Sequence, residues 1–178
     1  MSFLSMTSLR AGSAVLFASL AALSDLRTGK IPNILSLTAW AVALPMHYLL
    51  VGPRGPLSSL FGGILPLLAL APLFRFGMIG AGDLKILSAL GAIFGWPASW
   101  HLFVATILVG GLLSLLLLIA RNNARERFTY FVRYLQDART GQIRPYRTGL
   151  PKNATFPLTV PIWISTLLII GGFPWHLW

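Results

Sequence analysis

The sequence predicts an all-α, polytopic membrane protein. Of its 178 residues, 56% are hydrophobic and only 10% are charged, whereas a soluble domain usually has about 25% charged residues. The apolar residues are gathered into runs of roughly 20, which is the length that an α-helix needs to cross a bilayer. This composition excludes an ordinary soluble enzyme, a disordered chain and a coiled coil.

Six apolar runs predict six transmembrane helices within a single integral-membrane domain, residues 1–178. The runs cover about residues 3–24, 31–51, 57–74, 83–96, 97–120 and 156–172. Prolines inside these runs are expected to kink the helices, because neighbouring helices satisfy the backbone groups that a proline frees. The first run also fits a signal peptide, but the organised polar stretch that follows it favours a retained helix.

Basic residues orient the predicted helices. The loops after spans one, three and five contain most of the Lys and Arg residues, which predicts that these loops lie in the cytoplasm. The net charge of +10 would also suit nucleic-acid binding, but the basic residues lie between apolar runs. They are therefore expected to contact anionic membrane lipids, and nucleic acid is not an expected partner.

The long basic loop, residues 121–155, contains one further helical pattern. Phe128, Phe131, Val132 and Leu135 recur at the spacing i, i+3, i+4 and i+7, which is typical of an amphipathic helix. This pattern predicts a helix that lies on the cytoplasmic membrane surface. Such a helix would dock the substrate or anchor the loop, and the anchor is the commoner use.

Two of the four acidic residues, Asp25 and Asp83, lie at the predicted cytoplasmic ends of spans one and four. An ionisable group at a membrane is costly, so it indicates a functional site. If the two spans pack together, the two carboxylates would share a proton and titrate as a pair. One could then take a proton from water while the other donates to a peptide carbonyl, which is the chemistry of peptide hydrolysis.

A structural role for the two aspartates is the alternative. Asp25 would then pair with Arg27 or Lys30, and Asp83 would pair with Lys85. Residues two positions apart on a helix point away from each other. Lys85 is therefore expected to contact lipid phosphate or a charge on the substrate more readily than it contacts Asp83.

Glycines surround both aspartates. Gly77, Gly80 and Gly82 precede Asp83, and they would allow unusual backbone angles and the close approach of a substrate strand. A membrane turn is the other use that fits these glycines. Gly29 and Pro32 predict a tight hairpin between spans one and two, with Pro32 in the first turn of span two.

Two motifs together resemble the type IV prepilin peptidases, which are bacterial inner-membrane aspartic proteases. The first is Asp25 followed by Ile31-Pro32-Asn33, and the second is Gly80-Ala81-Gly82-Asp83-Leu84-Lys85. The resemblance implies that Asp25 and Asp83 are the catalytic pair of an endopeptidase. It also implies that the enzyme removes the short basic leader of a prepilin or pseudopilin precursor at the cytoplasmic face of the inner membrane.

The resemblance extends to the surroundings of the pair. The residues expected to shape the site or contact the substrate are Lys30, Pro32, Asn33, Gly80, Gly82 and Lys85. Larger family members add a cytosolic domain with cysteine pairs that is linked to N-methylation, but this chain has no cysteine. It is therefore similar to the short form of tight-adherence (Flp) pilus systems, and N-methyltransferase activity is not expected.

No cofactor is expected. No metal is expected either, because Asp25, Asp83 and Asp137 would form a poor metal site and the histidines show no ligand spacing. Asp137 lies in a segment that echoes the one around Asp25; a third carboxylate at the site and a coincidental basic turn both fit. Two other functions stay open at this point. One is a small proton-coupled transporter, and the other is a non-catalytic scaffold of a secretion or pilus machine.

Overall fold

Most of the residues that the structure describes lie in six α-helices. A computed structural model describes residues 3–120, residue 129 and residues 157–172. The helices are α1 (Phe3–Thr28), α2 (Asn33–Val51), α3 (Gly55–Arg75), α4 (Ala81–Phe94), α5 (Ala98–Ala120) and α6 (Thr159–Ile170). No β-strand occurs in these ranges, so the predicted all-α class is confirmed for them. The basic loop 121–155, with its predicted surface helix and Asp137, lies outside the described residues except for residue 129.

Four helices, α1, α2, α3 and α5, are long and apolar enough to cross a membrane. The other two are shorter than the roughly 20 residues of a full span, because α4 has 14 residues and α6 has 12. The apolar run 156–172 overestimates α6, since residues 157, 158, 171 and 172 are described and are not helical. The count of six transmembrane helices therefore stays a prediction.

The end of α1 differs from the prediction in a way that affects the site. The apolar run stops at Ser24, but the helix continues to Thr28. Charged residues end the apolar pattern here without ending the backbone hydrogen bonds of the helix. Asp25 is therefore held in the last turn of α1 instead of lying at the start of a loop.

Helix α4 lies at the centre of the bundle. It packs against α1, α2, α3 and α5, and four of its large side chains are at most 1% exposed, namely Ile86, Leu87, Leu90 and Ile93. A helix that is apolar on every side belongs in the interior of a structure. The surrounding helices thus fix the position of α4, including its first turn, which contains Asp83.

Two glycines, Gly62 on α3 and Gly91 on α4, form a close helix contact. A Cβ atom on either residue would overlap the carbonyl oxygen of the other. Small residues let helix backbones approach in this way at membrane-protein interfaces. The two helices therefore meet backbone to backbone at this point.

Three buried polar side chains also tie α4 to its neighbours. Each donates a hydrogen bond to a main-chain oxygen on another helix: Ser59 to Ala92 (2.8 Å), Ser88 to Gly63 (2.8 Å) and His47 Nε2 to Ile93 (2.9 Å). Such bonds are made between helices where water is absent. They hold the second half of α4 against α2 and α3.

The outer surface of the bundle is apolar. Leu37, Leu49, Leu68 and Ile119 are each more than 60% exposed, and they lie on α2, α3 and α5. Exposed apolar area of this extent marks a surface that is covered by a membrane or a partner. Together with the four long apolar helices, it indicates a membrane protein.

Candidate active site

A cavity of about 650 Å³ opens at one end of the bundle, where α1 ends and where α2, α4 and α6 begin. This volume is within the range of about 300–1,000 Å³ that is usual for ligand pockets. The lining residues are Asp25, Leu26, Gly29, Lys30, Ile31, Asn33, Gly80, Ala81, Gly82, Asp83, Lys85 and Pro157. The structure thus brings Asp25 and Asp83, from two different helices, to one cavity.

Asp83 is the third residue of α4 and is only 7% exposed. The first turn of a helix has backbone N–H groups without helical partners and a partial positive charge, which favour a carboxylate there. Because α4 is enclosed by four other helices, this carboxylate has little freedom to move. Asp83 therefore forms the rigid side of the cavity.

Asp25 is half-buried in the last turn of α1. Its Oδ2 accepts a hydrogen bond of 2.7 Å from the hydroxyl of Thr159, the first residue of α6. Among the described residues, Thr159 is the hydrogen-bond partner of this carboxylate. Arg27 and Lys30, the partners expected for a structural role, do not bond to it. The alternative of a simple local ion pair is not what the structure contains for Asp25.

Thr159 was not among the residues predicted from the sequence. One signal was present, because the last apolar run begins on the same predicted membrane side as Asp25, and Thr159 is a polar residue near that beginning. The pattern does not distinguish this hydroxyl from the other Ser and Thr residues of the apolar runs. Only the packing of α6 against α1 shows which one reaches the carboxylate.

The turn after Asp25 has the predicted glycine geometry. Gly29 has a φ of +64°, and its N–H donates to the Asp25 carbonyl oxygen at 2.7 Å, which is a common way to end a helix. The hydroxyls of Ser24 and Thr28 both donate to the Lys30 carbonyl oxygen, at 2.9 and 3.1 Å. These bonds stiffen the segment that leads from Asp25 to α2.

Lys85 and Asn33 join two walls of the cavity. The Lys85 Nζ donates to the Asn33 Oδ1 at 3.0 Å, so the first turns of α4 and α2 are bridged. The sequence favoured lipid phosphate or the substrate as the partner of Lys85, and the structure instead pairs it with Asn33. Both residues are exposed and line the cavity, as does Lys30.

The glycines near Asp83 have different roles. Gly77 has a φ of +67° and forms the turn after α3, whereas Gly80 has a φ of −76°, which any residue adopts. A Cβ atom on Gly82 would lie 3.1 Å from Ile31 Cβ and 3.3 Å from its Cδ1. Unusual backbone angles therefore explain Gly77 only, and Gly82 is needed for the close approach of the α1–α2 segment.

Every site residue predicted from the sequence lies in the described part of the chain. Of these residues, Pro32 alone does not line the cavity. It immediately precedes α2, with a φ of −62° and a ψ of 135°, and so lies one position before the first turn where it was predicted. Its fixed φ suits this entry to the helix. Pro32 acts on the site through the direction of the backbone between Ile31 and Asn33.

We expect Gly82→Ala to lower activity without unfolding the protein. The added methyl group would push against Ile31 and displace a wall of the cavity by a few tenths of an ångström, while removing no buried contact. Activity and the thermal unfolding midpoint in detergent would be measured together. Gly111→Ala is the matched control, because a Cβ atom there meets nothing within 4 Å. Equal activity of the two variants would contradict the expectation.

Residues 13–115, more than half of the chain, match the model of the type IV leader peptidase family. This range contains Asp25, Asp83 and both sequence motifs, whereas Pro157 and Thr159 lie beyond it. Searches of curated proteins and of solved structures return no match. On the strength of the family match, the chain belongs to the type IV leader peptidase family, a family of proteases.

Proposed function

We propose that the chain is an aspartic leader peptidase, and that Asp25 and Asp83 are its catalytic pair. The observation that carries this proposal is the shared cavity, since two aspartates that are far apart in sequence both line it. The family match favours a protease over the transporter and the scaffold. An aspartic mechanism is the hydrolytic chemistry that two such side chains provide.

Hydrolysis would follow the usual course for paired carboxyl groups. The ionised carboxylate takes a proton from a water molecule, and the water oxygen attacks the peptide carbonyl carbon. The protonated carboxyl group of the other aspartate donates its proton to the carbonyl oxygen. The tetrahedral intermediate then breaks its C–N bond, and the nitrogen receives the proton that the first carboxylate took from water. A hydroxyl of the intermediate returns a proton to the other aspartate, so that one water is consumed, an acid and an amine are formed, and the pair is restored.

The proposed substrate is a prepilin-type precursor with a short basic leader followed by an apolar helix. Because the enzyme has a net charge of +10, Coulomb attraction does not favour a basic leader. Recognition would instead depend on the apolar helix, which reaches the cavity within the plane of the membrane. The basic loops favour a cytoplasmic position for the cavity, in the inner membrane of a bacterium, and the absence of cysteine favours the short tight-adherence pilus form without methyltransferase activity.

The test is co-expression with a candidate precursor in a bacterial host, scored by the mobility shift that loss of the leader causes. The wild-type enzyme should produce the shorter form, and Asp25→Asn and Asp83→Asn should not. All variants would be checked for membrane insertion by protease accessibility of a terminal tag. Cleavage by either variant at a rate comparable to that of the wild type would overturn the proposed pair.

We also expect cleavage to be insensitive to EDTA and to serine- and cysteine-directed reagents. The proposed mechanism uses carboxyl groups alone, and the chain has no cysteine to modify. Purified enzyme in detergent would be incubated with each reagent and then assayed on the precursor. Loss of activity in EDTA that a divalent cation restores would show that a metal takes part.

A further inference from the structure

The hydroxyl that donates a hydrogen bond to Asp25 belongs to Thr159, which lies in a part of the chain that the family match does not cover. Thr159 is the first residue of α6 and is 1% exposed. Its Oγ1 donates to Asp25 Oδ2 at 2.7 Å, which is the usual length of a well-formed O–H···O hydrogen bond. A hydroxyl has a single proton to donate, and here that proton is directed at the carboxylate.

A second hydrogen bond fixes α6 along α1. Trp163 Nε1 donates to Ser19 Oγ at 2.9 Å, and Trp163 lies four positions after Thr159. Residues at this spacing share one face of a helix. The same face of α6 is thus tied to α1 at two points, so the position of the Thr159 hydroxyl is determined by the packing of two helices.

Asp25 needs such a support more than Asp83 does. Asp83 lies in the enclosed first turn of the central helix, whereas Asp25 is half-exposed in the last turn of α1. A carboxylate at a helix end can rotate about its side-chain bonds unless a neighbour holds it. Thr159 is the hydrogen-bond partner that the structure provides among the described residues.

We propose that Thr159 is a positioning residue for the proposed catalytic carboxylate of Asp25. Holding Oδ2 sets the plane of the carboxylate and therefore the place of its second oxygen, which is left for water or substrate. The start of α6, with Pro157 in the cavity lining and Thr159 on the carboxylate, is then part of the active site. This inference rests on the proposed function, because it assigns Thr159 a role in that reaction.

The test compares Thr159→Val with Thr159→Ser in purified enzyme, with kcat and KM determined separately on the precursor. Val keeps the shape of Thr and removes the hydroxyl, while Ser keeps the hydroxyl. Since small misplacements at a reacting centre cost up to about 100-fold in rate, we expect Thr159→Val to lower kcat by about 10- to 100-fold. KM should stay near the wild-type value, and Thr159→Ser should recover most of the lost kcat.

Thr166→Val is the matched control. Thr166 lies on the same helix and is fully buried, but its hydroxyl donates to Ile162 O within α6 at 2.9 Å. It should retain the wild-type kcat. The inference is overturned if Thr159→Val keeps the wild-type kcat, if Thr159→Ser is as inactive as Thr159→Val, or if Thr166→Val shows the same loss.

The failure of this inference can be told from the failure of the proposed function. If Asp25→Asn still cleaves the precursor, the proposed pair is wrong and Thr159 has nothing to position. If Asp25→Asn is inactive and Thr159→Val is normal, the pair stands and only the role of Thr159 is rejected. A thermal unfolding midpoint for each variant separates loss of fold from loss of chemistry, and Thr159→Ser provides the folded comparison.

Discussion

Asp83→Asn and Asp25→Asn are each expected to lower the rate of leader cleavage by at least about 100-fold, and by up to about 10⁴-fold, the range that a positioned acid or base contributes. Asn has nearly the shape of Asp but cannot accept or deliver the proton that the reaction moves. The fold should persist, since each variant replaces a carboxylate oxygen by an amide nitrogen. The measurement is the single-turnover rate on a precursor with purified enzyme.

Asp137→Asn is the matched control for this pair. It removes the same charge from a residue outside both motifs, and cleavage should continue at the wild-type rate. If Asp137→Asn is also inactive while remaining folded, a third carboxylate takes part and the two-residue mechanism is incomplete. If all three variants are active, the cavity does not perform the hydrolysis.

Gly62→Val and Gly91→Val are expected to have the largest effect on stability. The new Cβ atom would overlap a carbonyl oxygen of the facing helix in either variant, and a backbone atom cannot turn aside as a flexible side chain can. Overpacking a well-packed interior costs about 1–3 kcal/mol and occasionally more, and here α3 and α4 would have to separate. We expect a lowered yield of folded protein and a lowered thermal unfolding midpoint in detergent.

Gly111→Val provides the comparison for these variants. Gly111 lies in α5, and a Cβ atom there meets nothing within 4 Å. The intrinsic effect of placing Val in a helix is the same in all three variants, so any difference between them reports the helix contact. Unchanged midpoints for Gly62→Val and Gly91→Val would mean that α3 and α4 do not meet in this way.

The positions of the helices were largely predictable, because a bilayer-length apolar run is a strong signal that depends only on composition. The predicted and observed bounds of α2, α3 and α5 differ by at most two residues. The end of α1 was not predictable in the same way. Its last turn contains Asp25 and Arg27, and a charged turn of a helix has no apolar pattern to mark it.

The candidate site was predictable for the residue types that are rare in the sequence, namely the acidic residues. The chain has few acidic residues, so Asp25 and Asp83 stood out and the two motifs could be recognised. The partners of these residues were not predictable, because hydroxyls and glycines are common in the apolar runs. Which hydroxyl meets Asp25, and which amide meets Lys85, depends on how helices from distant parts of the chain pack.

The hydrogen bond between Thr159 and Asp25 joins residues 134 positions apart in sequence. This separation affects when the bond can form during protein synthesis. At about 5–20 residues per second, the ribosome completes α6 several seconds or more after it has synthesised α1 and α4. A nascent chain that stalls between residues 83 and 159 already contains both aspartates but lacks this bond. Translation therefore adds the partner of Asp25 last, after both carboxylates have been made.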